Sequence, residues 1–102
     1  IPNYAAVSVA KVSLEALTKH IAVEFASFGI KANCIQAGVT ETESLKRIPG
    51  YEKLITYSLK RNPNHRLTKP EDVANAVYLL CLPEANWITG NIIPVDGGEH
   101  LI

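Results

Sequence analysis

Apolar residues recur at steps of three and four between Tyr4 and Phe28, where Leu14, Leu17, Ile21, Phe25 and Phe28 form one stripe. Ala5, Ala6, Ala10, Ala16 and Ala22 add strong helix formers with small side chains. Gly29 then stands where a helix commonly ends. The pattern predicts one helix over 4–28, roughly 35 Å long. Its small flanking residues suit close packing against another long helix, so an oligomer interface is expected there.

The period then changes. Ile30 to Gln36 reads as a short buried strand ending in a sharp turn at Ala37-Gly38. Residues 39–64 are polar and weakly patterned, with a Pro49-Gly50 break and a short helix over Tyr51 to Lys60. A connection of this length in a small domain usually serves function, often as a lid. Thr68-Lys69-Pro70-Glu71 reads as a capping box, with the Thr68 hydroxyl accepting the Glu71 amide. Val73, Val77 and Leu80 mark the buried face of the helix that follows, and Pro83 ends it. Asn91 to Val95 is a β-branched run closed by Asp96-Gly97-Gly98.

Helix, strand, lid, helix, strand is an α/β order with parallel strands. Two strands do not make a stable parallel sheet, because each needs neighbours and cover on both faces. The remaining strands must come from elsewhere. The chain also begins Ile1-Pro2-Asn3-Tyr4 and holds no methionine. Both observations lead us to expect a piece of a longer chain.

Composition narrows the class. The 102 residues suffice for one small domain, and ten basic and ten acidic residues give zero formal charge. That balance speaks against nucleic acid or an anionic membrane as the partner. No apolar run approaches the ~18 residues of a membrane span, and no signal peptide is visible. Cys34 and Cys81 sit in apolar stretches and read as buried, reduced thiols, as expected of a cytoplasmic protein.

Few residues offer chemistry. Tyr4 and Lys11 stand seven apart, so on a helix they share a face, ~10 Å apart along the axis. A lysine near a tyrosine favours the phenolate and suits it to hydrogen-bond a developing oxyanion; a packed tyrosine and a solvated lysine are the plain alternative. Ala37 to Thr42 follows a strand, the end at which α/β sheets bind ligands. There Gly38 permits close backbone approach, and Thr40 or Thr42 can bond an amide or phosphate, or merely cap the turn. His20, His65 and His100 show no metal-site spacing and read as surface or packing residues, and no metal is expected. Asp96 reads as a turn carboxylate that fixes local amides.

Taken together, the Tyr4/Lys11 helix, Asn33-Cys34-Ile35-Gln36-Ala37-Gly38, Pro70-Glu71-Asp72-Val73 and Thr89-Gly90-Asn91-Ile92-Ile93-Pro94-Val95-Asp96-Gly97-Gly98 resemble the C-terminal half of the short-chain dehydrogenase/reductase family. The usual tyrosine position, four before the lysine, holds Val7. Tyr4 instead gives Tyr-x6-Lys, the spacing of enoyl-acyl-carrier-protein reductases. Ile1 to Tyr4, Ala10 to Ala16 and the Ala37-Gly38 pair, where ordinary members carry Pro-Gly, also look like that group.

The resemblance implies a doubly wound, Rossmann-type parallel sheet whose N-terminal nucleotide-binding half is missing. Residues 1–102 would then be the C-terminal, catalytic and substrate-binding part of one domain, with 39–64 as the substrate lid. It implies hydride transfer from NAD or NADP (the choice undetermined) to a 2-enoyl thioester of acyl-carrier protein or coenzyme A, in fatty acid synthesis. Tyr4 would stabilise the enolate, and Lys11 would hold the nicotinamide ribose. Gly38, Val39, Thr40 and Thr42 would fix the carboxamide and phosphate, although Val39 stands where a proline is often seen and Thr40 where an aliphatic residue is. Leu45, Ile48 and Tyr51 would line the acyl-chain lid over 41–60. The partners implied are the chain's own N-terminal half and further copies in a homotetramer. Two other readings compete: a 3-oxoacyl or other carbonyl reductase of the same family, and an inactive oligomerisation fragment.

Overall fold

The computed structural model describes residues 3–102. Ile1 and Pro2, part of the Ile1-to-Tyr4 resemblance, lie outside them. The elements are α1 (Ala5–Glu24), β1 (Cys34–Ala37), α2 (Glu43–Lys46), α3 (Tyr51–Arg61), α4 (Pro70–Leu80) and β2 (Ile92–Val95), with 3-10 turns at Ala26–Phe28, Pro83–Ala85 and Glu99–Leu101. β1 pairs with β2. The Cys34 amide donates to the Asn91 carbonyl and the Gly38 amide to the Val95 carbonyl, a constant offset that makes the strands parallel, as expected. The chain forms two compact units, the residues up to Cys34 with Leu82–Ile93, and Ile35–Cys81 with Pro94–Ile102.

In the first unit α1 stops at Glu24, short of the expected Phe28, and a 3-10 turn carries the chain to Gly29, whose φ of 74° closes it. The expected Leu14–Phe28 stripe is not the buried one. Thr18 and Ala22 are buried, whereas Leu14, Leu17, Phe25 and Phe28 are exposed. Gly90 lies beside this buried side: a Cβ on it would stand at ordinary contact distance, 3.5 Å, from Ala22 Cβ. The expected strand over 30–36 is reduced to Cys34–Ala37 and is only half-buried at its start. Ahead of it the backbone is held by side chains. The Ala32 amide donates to Thr89 Oγ1, Asn33 Nδ2 to the Ile88 carbonyl, and the Asn91 amide to Asn33 Oδ1.

In the second unit the interior is polar. Ser58, Asn62, Thr68 and Asp96 are buried, joined by Leu45. α3 presents Tyr51, Leu54, Ile55 and Ser58 on one side, buried or half-buried, with the half-buried Arg61 at its last position and the buried Asn62 just beyond it. The 39–64 segment is therefore well structured, contrary to the weak patterning expected. α4 starts one residue later than the capping-box reading. Thr68 is drawn inward, where its amide donates to the Val39 carbonyl, and Asp72 caps instead by accepting the Lys69 amide at 2.8 Å. On α4 Val73 and Leu80 are half-buried, but Val77 is exposed. Cys34 is half-buried and Cys81 exposed; both are free, and neither is the buried thiol expected.

Candidate functional site

Tyr4 is the residue preceding α1, and its carbonyl accepts the Ser8 amide as the first helical bond. Lys11 lies seven residues on, two turns along the same side, and the same seven-residue step leads to the buried Thr18. Tyr4 and Lys11 are exposed. Among the described residues, the Tyr4 hydroxyl and the Lys11 ammonium engage no hydrogen-bond or ion-pair partner within the chain. They are donors on one face of a helix end, in the first unit.

Gly38, Val39 and Thr40 lie in the second unit, at the carboxyl end of β1. Gly38 sits in a tight cradle, where a Cβ would lie 2.5 Å from Thr68 Oγ1 and 2.8 Å from both Asp96 Cβ and Glu99 Oε2. The close approach this glycine permits is made by the protein's own side chains. The Val39 amide donates to Glu99 Oε2 at 3.0 Å, and Thr40 Oγ1 donates to the Gly38 carbonyl at 2.9 Å. Thr40 also forms an isolated parallel bridge with Thr68. Thr42 Oγ1 accepts the Leu45 amide at 3.2 Å and so caps α2, which leaves its hydroxyl hydrogen to donate elsewhere. Of the three expected lid residues Leu45 is buried, and Ile48 and Tyr51 are half-buried.

A cavity of about 610 Å³ opens beside this turn, with Asn62, Asn64, Arg66, Asp72, Asp96 and His100 on its wall. Its polar groups satisfy one another. Asp96 accepts the Gly98 and His100 amides at 3.0 Å and the His100 ring at 2.7 Å, so it is the turn carboxylate expected from the sequence. Burial opposes its ionisation, but the Gly98 amide and the His100 ring and amide outweigh that and hold its carboxyl below the usual range. Asn62 Nδ2 donates to the Asp96 carbonyl while its Oδ1 accepts the Asn64 amide. Arg66 forks onto both oxygens of Asp72 at 2.7 and 3.0 Å. Glu99, Asn62, Thr68 and the Arg66–Asp72 pair were not legible as functional residues. The one available signal was the placing of Asn-Pro-Asn and Asp-Gly-Gly in turns, where asparagine and aspartate bond nearby backbone.

The parallel strand pair, with helices between its strands and a ligand-suited turn at the end of β1, defines a chain of the Rossmann-type α/β class. Residues 1–100 match the family model described as Enoyl-(Acyl carrier protein) reductase, and the chain belongs to that family, a branch of the short-chain dehydrogenases. It is 37% identical to an uncharacterized oxidoreductase of Thermotoga maritima, covering 100% of this chain and 42% of the relative. It is also 37% identical to the NADH-named enoyl-[acyl-carrier-protein] reductase FabI of Buchnera aphidicola, covering 99% of this chain and 39% of the relative. The crystal structure of the Bacillus cereus enoyl-acyl carrier protein reductase with NADP+ and an indole naphthyridinone superposes with a TM-score of 0.93 at 34% identity, over 100% of this chain and 40% of that one. The chain thus spans about two fifths of the length of these relatives.

Proposed function

We propose that this chain is the C-terminal, catalytic part of an NAD(P)H-dependent reductase of 2-enoyl thioesters, completed by an N-terminal nucleotide-binding half and assembled as a cytoplasmic homotetramer. The observation that carries this reading is the pairing of Tyr4 and Lys11 on one face of α1 in a chain that belongs to the enoyl-(acyl carrier protein) reductase family. The donor chemistry supports it as well. A dinucleotide offers ribose hydroxyls, a carboxamide and phosphates, and Lys11 and Thr42 supply an ammonium and a hydroxyl hydrogen able to meet them.

In this reading the bound nicotinamide supplies the hydride to the β-carbon of the thioester. Tyr4 donates a hydrogen bond to the thioester oxygen and stabilises the enolate charge that gathers there, and the α-carbon then takes a proton from water to give the saturated thioester. Lys11 holds the ribose and adds positive field at the phenol. The Gly38–Thr40 peptides and Thr42 orient the cofactor, and residues 39–64, with Leu45, Ile48 and Tyr51, cover the acyl chain. Acyl-carrier protein or coenzyme A carries that chain, and the product enters fatty acid synthesis.

The complete polypeptide should oxidise NADH or NADPH with a 2-enoyl thioester and leave a 3-oxoacyl thioester unreduced. Removing one donor to a developing oxyanion typically costs about 10²–10³-fold in kcat, and Tyr4→Phe should lose turnover on that scale while the KM for cofactor stays near the original. Turnover with the 3-oxoacyl substrate instead would favour a carbonyl reductase of the same family. No turnover with either would leave an oligomerisation role.

A further inference from the structure

We propose that Glu99 is a positioning residue for the cofactor-facing turn Gly38–Thr40, acting through its bond to the Val39 amide; this rests on the reductase reading above. The turn's other backbone bonds run to the ladder, to Thr40 and to the Thr68 amide. The Gly38 amide donates to the Val95 carbonyl at 3.1 Å, the Gly38 carbonyl accepts Thr40 Oγ1 and the Val39 carbonyl accepts the Thr68 amide at 3.1 Å. The Val39 amide donates to a side chain 60 residues away, Glu99 Oε2, at 3.0 Å. The bond is part-buried, and without it this N–H would face a shielded surface unpaired. An ionised acceptor makes the bond roughly twice as strong as a neutral one.

Glu99 is itself aimed. It opens the 3-10 turn Glu99–Leu101 behind Gly98, whose φ is 90°. The buried Asp96 holds that turn on both sides, through the Gly98 and His100 amides, while its carbonyl accepts the Glu99 amide at 3.2 Å. The carboxylate also approaches so near Gly38 that a Cβ there would lie 2.8 Å from it. The Val39 peptide, at the end of the strand where α/β sheets bind ligands, is therefore held on its N–H side by the turn that carries Glu99. If those peptides contact the nicotinamide, losing Glu99 should weaken cofactor binding and leave the thioester's own affinity alone.

The test uses the complete polypeptide and reads the NADH dissociation constant by fluorescence, with thioester KM, kcat and melting temperature alongside. Glu99→Met keeps the length and removes the acceptor; Glu99→Gln keeps a neutral acceptor. Each is made in the native background and with Val39→Pro, which removes the donor. We expect Met to weaken NADH binding about tenfold and Gln about threefold, with thioester KM within twofold. Both effects should vanish once Val39 is proline. If Met melts below the assay temperature, the Gln pair decides by the same comparison. Equal losses in both backgrounds, or no loss in the native one, overturn the role of Glu99 while the reductase reading stands. A native polypeptide that neither binds NADH or NADPH nor reduces enoyl thioesters overturns both.

Discussion

Asp72 serves three donors at once: both arms of the Arg66 guanidinium and the Lys69 amide at the start of α4. The hydrogen bond from Arg66, followed by the Lys69 amide, outweighs desolvation and holds the carboxyl at about 2, below its ordinary 3.8. The same contact holds Arg66 above its own already high value. A carboxyl that titrates lower when folded binds fewer protons than in the unfolded chain, so folding gains as pH rises. The contribution is complete above an unfolded value of about 3.8 and is lost as pH falls through about 2. Arg66→Ala should move the Asp72 carbon resonance titration up toward the ordinary carboxylate range. The stability difference between the two proteins should shrink toward zero below pH 2. A resonance that titrates near 4 in the native protein would show that the pair does not hold in solution. The two side chains are half-open to solvent, at 52% and 28%, so added salt should weaken the effect.

At the scale of elements, the turn after β1 is tightly constrained on every side of Gly38. Gly38 does not need glycine for its φ, in contrast to Gly50, which adopts 78° at the start of α3 with open space around its Cα. It needs glycine for room. Alanine there would press on Thr68 Oγ1, Asp96 Cβ and Glu99 Oε2; Asp96 Cβ is fixed beside the backbone, and moving Glu99 breaks its bond to Val39. Overpacking of this kind costs about 1–3 kcal/mol. Gly38→Ala should therefore lower the unfolding free energy by that order, read as a lower denaturant midpoint at an unchanged slope, whereas an unmoved midpoint would mean that the cradle opens freely. This turn was legible in the sequence as a Gly at a strand end, because strand-to-loop breaks are written locally. The start of α4 was legible to within one residue, but not its cap. Thr68 and Asp72 each suit an N-cap arrangement, and what chose between them is the long-range Thr68–Val39 bond, which no local pattern encodes. Asn62 and Glu99 were missed for the same reason, since their partners lie 34 and 60 residues away.

For the molecule as a whole, the long helix α1 carries the argument furthest. At about 100° per residue, Val9, Val12, Ala16 and Val23 fall within a sector of about 60° on the side opposite Thr18 and Ala22. Thr18 and Ala22 are buried, yet Val9, Val12 and Val23 are 65%, 61% and 79% exposed. A helix that is apolar on opposite sides is normally covered on both, and a contiguous apolar patch rimmed by polar residues marks an interaction surface. The sequence led us to expect the partner at the helix's small flanking residues; of these Ala22 is buried within the chain, whereas Ala16 is exposed and shares its side with the exposed valines. If the proposed tetramer uses that side, Ala16 gives the close approach that two packed helices need. Val12→Glu should then place a charge in the contact at no cost to the monomer, since the residue is exposed within the chain. Sedimentation equilibrium of the complete polypeptide should show a tetramer before the substitution and a smaller species after it, with the melting temperature falling in step with protein concentration. A Val12→Glu tetramer of unchanged mass would remove the valine side from the interface, and a Val12→Glu protein that no longer folds as a monomer would show that the side is covered within one polypeptide, by the N-terminal half.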